Sequence, residues 1–143
     1  MPENTRTARE TVEVWLHTIV HSGRDALVDF YASDVVVTNP FAPDGVPASV
    51  TGNEELRTRM KAYEQLWSYD AVEDVTIHET ADPEVVVVEF GIRGRLTASG
   101  KEFDLRFVNV MRIADGLITE SRDYSDAVRA AALFAEIQGD QAS

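Results

Sequence analysis

The sequence predicts an α+β fold, and three features carry that expectation. Apolar residues recur at helical spacing in the first part of the chain. From Ser68 onward the period changes to two, in long β-forming runs separated by Asp-Pro, Ser-Gly and Asp-Gly turns. Helices gathered ahead of hairpin-linked strands imply helices packed on an antiparallel sheet, not alternating βαβ units. No internal repeat, linker or low-complexity tract breaks the 143 residues, so one domain is expected over 1–143 with an ordered core at about 8–137.

Thr5 or Thr7 can cap a first helix running to about His21, with Val12, Trp15, Leu16, Ile19 and Val20 as one apolar stripe. Ser22-Gly23 ends it. A short second helix is expected at Arg24–Tyr31, a turn at Ala32–Asp34 and a β-branched strand at Val35–Thr38. Asn39–Pro47 holds three prolines and a glycine and reads as an irregular loop. Asn53 is the natural N-cap of a third helix with Glu54 and Glu55 in its first turn and Leu56, Met60 and Tyr63 facing inward. Four strands follow, at Tyr69–Ala81, Glu84–Ala98, Glu102–Ala114 and Leu117–Tyr124. Gly91 and Gly94 within the second of these suggest a bulge that bends the sheet. Ser125-Asp126 can cap a last helix at Ala127–Ile137, leaving Gln138–Ser143 as a frayed tail.

Composition narrows the function classes. With 25 acidic against 13 basic residues the net charge is −12, which opposes binding to nucleic acid or anionic membrane surfaces. Cysteine is absent, so there is no disulfide framework, no thiolate nucleophile and no Cys metal site. No apolar run approaches the roughly 20 residues of a membrane span. Met1–Glu10 is polar and mixed in charge, unlike a signal or transit peptide, and a cytoplasmic location is expected.

On the strand expected at Glu102–Ala114, Phe103, Leu105, Phe107, Asn109, Met111 and Ile113 share one face. On the preceding strand Val86, Val88, Phe90 and Ile92 alternate with Val87, Glu89, Gly91 and Arg93, and both faces of its first half are apolar. One face can meet the helices and the other a second protomer, so a homodimer through the sheet is expected. On the last strand Thr119, Ser121 and Asp123 share one face and Ile118, Glu120, Arg122 and Tyr124 the other. Periodicity does not say which is inner.

Asn39-Pro40, Gly52 before the third helix, the segment Glu89–Leu96 and the run DGLITESRDYSD at Asp115–Asp126 carry a further signal. With them, from about Ala8 to Leu133, the chain resembles the SnoaL-like branch of the NTF2-like, or cystatin-like α+β, superfamily. The resemblance implies a cone-shaped α+β barrel in which a strongly bent antiparallel sheet wraps the long first helix. It also implies an apolar pocket at the open end for small, often polycyclic or polyketide-derived molecules. Members include aldol cyclases, ketosteroid isomerases, limonene-type epoxide hydrolases, epoxide-opening cyclases and phenazine-pathway proteins, and others only bind. The ending Arg122-Asp123-Tyr124 with Asp126 resembles that of the limonene-type hydrolases. Their partner Arg and second Asp are matched here by Phe90 and Ile92, and their water-holding Tyr by Val37. Ketosteroid isomerases carry an Asp where Asn39 stands. In the aldol cyclases and phenazine-pathway proteins an acid on the last strand does the acid/base work, and Asp123 keeps that position.

Asp123 is therefore the leading catalytic candidate, because a carboxylate desolvated in an apolar cone gains basicity useful for proton transfer. A surface ion pair with Arg106 is the competing reading. Asn39 and Asn109 can orient a carbonyl or stabilise an oxyanion. Trp15, Tyr31, Met60 and Tyr63 are expected ligand contacts, as are Trp67, Phe90, Phe107 and Ser121. His17 and His21 stand four apart on a helix but lack a third ligand, and His78 stands alone on a strand, so neither metal nor cofactor is expected. The function expected is acid/base catalysis on a small apolar metabolite of secondary metabolism: cyclisation, isomerisation or dehydration. Two other readings stand beside it. One is epoxide opening with a substitute acid such as Glu64, and the other is a binding or assembly module without chemistry.

Overall fold

The computed structural model describes residues 6–142. Helices α1 (Ala8–His21), α2 (Arg24–Val28) and α3 (Asn53–Glu64) lie with α4 (Ala127–Ala142) against one six-stranded curved sheet. Its strands are β1 (Tyr31–Thr38), β2 (Ser49–Thr51), β3 (Trp67–Glu79), β4 (Val85–Leu96), β5 (Glu102–Ala114) and β6 (Leu117–Ser125), in the order β2-β1-β6-β5-β4-β3.

Helix α1 starts where local chemistry says it must. The Thr7 hydroxyl accepts from the Glu10 amide at 3.1 Å, and the Glu10 carboxylate accepts from the Thr7 amide at 2.9 Å, a capping box. The other expected cap, Thr5, lies outside the described residues. The buried stripe of α1 is Val12, Trp15, Leu16 and Ile19, set against inward-facing Val86, Val88, Phe90 and Ile92 of β4 and Met111 and Ile113 of β5 in one core. Burial of this apolar surface is the main favourable term in folding.

Several expectations need correction. The second helix stops at Val28, and Tyr31 opens β1. The Phe30 carbonyl accepts from the Ile118 amide at 2.8 Å, and Tyr31 pairs with Ile118, so contact with β6 draws this segment out of the helix. The β1–β6 pairing is parallel within a sheet whose other ladders are antiparallel. Strand β2, inside the span after the proline loop, was not expected. The N-cap of α3 is Gly52, at φ +91°, whose amide bonds Val35 O at 2.7 Å; Asn53 is the first helical residue. Helix α4 continues through the expected frayed tail to Ala142.

The bend of the sheet is built where β4 meets β3. Register shifts fall on β3 between Tyr69 and Ala71 and between Glu73 and Thr76, opposite Gly94 and Gly91, so the glycines sit across from the bulges. A Cβ at Gly94 would collide with the Ser68 carbonyl oxygen and the Phe103 ring. The outer face of the sheet is dominated by ion pairs, including Arg93–Glu73 at 2.7 Å and Arg106–Asp74 at 2.6 Å. Exposed Val75 and Val108 interrupt it.

Gly94→Ala is expected to lower stability by about 1–3 kcal/mol through overpacking. The check is the urea midpoint at constant m; an unchanged midpoint would show that β3 and Phe103 yield freely.

Candidate functional site

Strand β6 needs one extra residue to present both its apolar and its polar groups inward. Strict alternation sets Ile118 on the face opposite Ser121 and Asp123. On the β5 ladder Arg112 pairs with Glu120, but the next residue, Ile113, pairs with Ile118, so Thr119 is the looped-out residue of a bulge. Below it Ile118 is buried in the core, and above it Ser121 is buried and Asp123 faces the helices. Asp123 stands directly across the ladder from Asn109.

Between the sheet and the helices lies a cavity of about 270 Å³. Its floor is Val37 of β1, Leu105 and Phe107 of β5, and Asp123 and Ser125 of β6. Asn39, Pro43, Val46 and Pro47 of the proline loop form one wall, and Leu56, Arg59, Met60 and Tyr63 of α3 another. At the far side Trp67 and Tyr69 of β3 meet Leu133 and Phe134 of α4. The Tyr63 and Trp67 rings stack at 4.9 Å, and Phe134 meets Trp67 edge-on at 5.9 Å, so α4 closes the cavity with aromatic contacts.

Asp123 is the one carboxylate among the residues lining this cavity. Asp123 keeps only part of its surface accessible. Desolvation raises its pKa from 3.8 to about 6, and the hydrogen bond donated by Ser121 Oγ at 2.5 Å lowers it in part. Arg106, the expected surface partner, is held by Asp74 instead. The Tyr31 phenol is pushed well above its ordinary value, first by burial and then by the Asp123 charge.

Of the residues expected at the site, Asp123, Asn39, Met60, Tyr63, Trp67 and Phe107 line the cavity. Trp15, Tyr31, Phe90, Ser121 and Asn109 are not among the residues that line it. They form the layer behind it. Trp15 meets Phe90 edge-on at 5.7 Å, Phe90 stacks on Phe107 at 5.2 Å, and Trp15 Nε1 donates to the Tyr31 hydroxyl at 3.2 Å. Asn109 is 3% exposed, and its side-chain oxygen has no hydrogen-bond partner among the described residues. The sequence reading missed Arg24, Arg59, Tyr69 and the α4 residues. An arginine at the start of a short helix carries no local mark of facing inward.

The histidines lie elsewhere. His17 and His21 stack at 4.0 Å on the exposed side of α1, and His21 Nδ1 is 2.9 Å from the His17 carbonyl oxygen. His78 lies 2.6 Å from Glu89 on the outer sheet face. No group of three potential metal ligands occurs among the described residues. Glu64 is exposed and outside the cavity.

A family model described as a SnoaL-like domain matches residues 12–121. The uncharacterised PhzA/B-like protein PA3332 of Pseudomonas aeruginosa is 30% identical over 101 residues, 71% of this chain and 71% of the relative. A candidate isomerase from Bacillus subtilis superposes with a TM-score of 0.82 at 22% identity, over 90% of this chain and 92% of that one. A candidate polyketide cyclase from Pseudomonas putida KT2440 gives 0.76 at 17% identity, over 90% and 98%. At these identities the two structures show a shared fold.

The raised pKa of Asp123 has a consequence for stability. The folded state binds this proton more tightly than the unfolded chain, so stability is full below about pH 3.8, declines as pH rises, and levels off above about 6. Asp123→Asn removes that decline while keeping an acceptor for Ser121. It is expected to be more stable than the parent at pH 7.5 by about 1–3 kcal/mol. Urea unfolding of both proteins from pH 4 to 7.5 checks this, and a gap that does not widen with pH would refute it.

Proposed function

The chain belongs to the SnoaL-like domain family, and from that premise we propose that it is a cofactor-free acid/base enzyme acting on a small apolar metabolite. The observation that carries this reading is a lone carboxylate lining an apolar cavity, with its pKa lifted to about 6. Above that pH Asp123 is ionised and is a stronger base than an exposed aspartate. It removes a proton from a carbon next to the substrate carbonyl and returns it to the product, the step common to cyclisation, isomerisation and dehydration. Asn39, at the cavity wall, orients the carbonyl. Ser121 is a positioning residue: its hydroxyl holds one Asp123 oxygen and tempers the pKa. Phe107, backed by Phe90 and Trp15, keeps the reacting end dry.

Epoxide opening draws less support. The positions that resemble the hydrolase Arg and Asp hold Phe90 and Ile92, both buried in the core, and Glu64 stands outside the cavity. A role restricted to binding leaves the basic carboxylate without purpose. Operation in the cytoplasm and pairing of two copies through Val75 and Val108 complete the proposal; no helix among the described residues is long and apolar enough to cross a membrane.

Exchange of the α-protons of 2-tetralone with D₂O, followed by NMR, tests the proton-transfer step without the natural substrate. The rate is expected to rise with pH and level off above about 6. Asp123→Asn is expected to slow it about 10²–10⁴-fold, and parental exchange in that variant would sink the reading. Ser121→Ala is expected to move the inflection to higher pH, because it removes the hydrogen bond that lowers the Asp123 pKa.

A further inference from the structure

The cations of this acidic chain are almost all neutralised. Apart from Arg6, every described Lys and Arg other than Arg24 has a carboxylate at 2.6 to 4.0 Å. Arg24 has no ion-pair partner among the described residues, and it lines the cavity that holds Asp123. Arg59, the other arginine of the lining, is taken by Glu55 at 3.2 Å. With 25 acidic residues in the chain, a cation without an ion pair among the described residues, at the border between this cavity and a groove lined by Glu64, is out of keeping with the rest of its electrostatics.

Aromatic faces and one carbonyl hold Arg24 in place. Its guanidinium carbon lies 4.9 Å from the Tyr69 ring centroid and 5.8 Å from that of Trp67, and Nη2 donates to the Trp67 carbonyl at 3.0 Å. A guanidinium has five N–H donors, and that carbonyl takes one. The group is half-buried and presents a planar fork that fits a carboxylate through two parallel bonds. The same wall contains a second unsatisfied donor, since the buried Trp67 indole N–H has no acceptor among the described residues.

We infer that Arg24 is the anchor for a carboxylate on the ligand, so the cavity selects small apolar carboxylic acids. This rests on the acid/base reading only for the fate of the ligand; anchoring itself does not require Asp123. The acid group docks against Arg24 on the Trp67–Tyr69 side, and the apolar body lies over Leu105 and Phe107 toward Asp123. Burying the charge pair away from water strengthens the contact, and the aromatic rings restrict the fork to one orientation.

Calorimetric titration with 2-naphthoate and 2-naphthamide at pH 7.5 tests the anchor, because the two differ in charge and hardly in shape. The parent is expected to bind the acid at least about tenfold more tightly than the amide. Arg24→Met is expected to lose about 10- to 100-fold in affinity for the acid and to keep its affinity for the amide, which also reports that the variant is folded. Arg24→Lys is expected to fall between, keeping the charge without the fork. Equal affinity for acid and amide, parental acid binding by Arg24→Met, or no binding of either ligand by the parent would overturn the anchor. Asp123→Asn is expected to keep the acid preference. Parental 2-tetralone exchange in that variant with the preference intact would therefore remove only the proton-transfer reading, and lost exchange without any preference would remove only the anchor.

Discussion

Holding a carboxylate in an apolar cavity costs free energy, and much of this molecule is arranged around that cost. Asp123 receives one compensating hydrogen bond, from Ser121, and no cation pairs with it among the described residues. Its proton is retained to about pH 6 as a result. The Thr119 bulge makes the arrangement possible, since it lets Ile118 complete the core while Ser121 and Asp123 turn inward two strand positions apart. The aromatic series Trp15, Phe90 and Phe107 fills the space behind the cavity floor. Helix α4 closes the far side through Phe134.

The charges are sorted by location. Outward-facing arginines on β4 and β5 meet acids on β3, Arg106 reaching across β4 to Asp74, and such exposed pairs contribute little stability each. Their combined effect is to leave few cations without an ion pair among the described residues of a chain of net charge −12. Among the described residues, Asp123 and Arg24, which has no ion pair, line a cavity with Arg59, which is paired with Glu55, and the remaining lining is mostly apolar. An apolar body alone leaves Arg24 unsatisfied.

Much of the fold was legible from local pattern. The bounds of β5 and its inner face, the α1 stripe, the Thr7 cap and the proline loop all follow from period and turn chemistry, which act over a few residues. Resemblance across the chain supplied the cone. The site was legible in part. Asp123, Asn39, Met60, Tyr63, Trp67 and Phe107 were expected at the cavity and line it. Trp15, Tyr31 and Phe90 were expected there too, but an aromatic residue reads the same in sequence whether it forms a wall or supports one. Arg24 was missed because its inward placement comes from Trp67 and Tyr69, more than forty positions away.

By itself, then, the sequence determined most of the helix and strand segments, which strand faces are apolar, and that the last strand carries a carboxylate, Asp123. Only the tertiary structure decided that Asp123 faces the cavity. Side chains alternate along a strand with a period of two, so one looped-out residue reverses every assignment beyond it, and the Thr119 bulge leaves no mark in the local pattern. The parallel β1–β6 pairing and the placement of Arg24 against Trp67 and Tyr69 were likewise settled by contacts between distant segments, where composition and period carry no information.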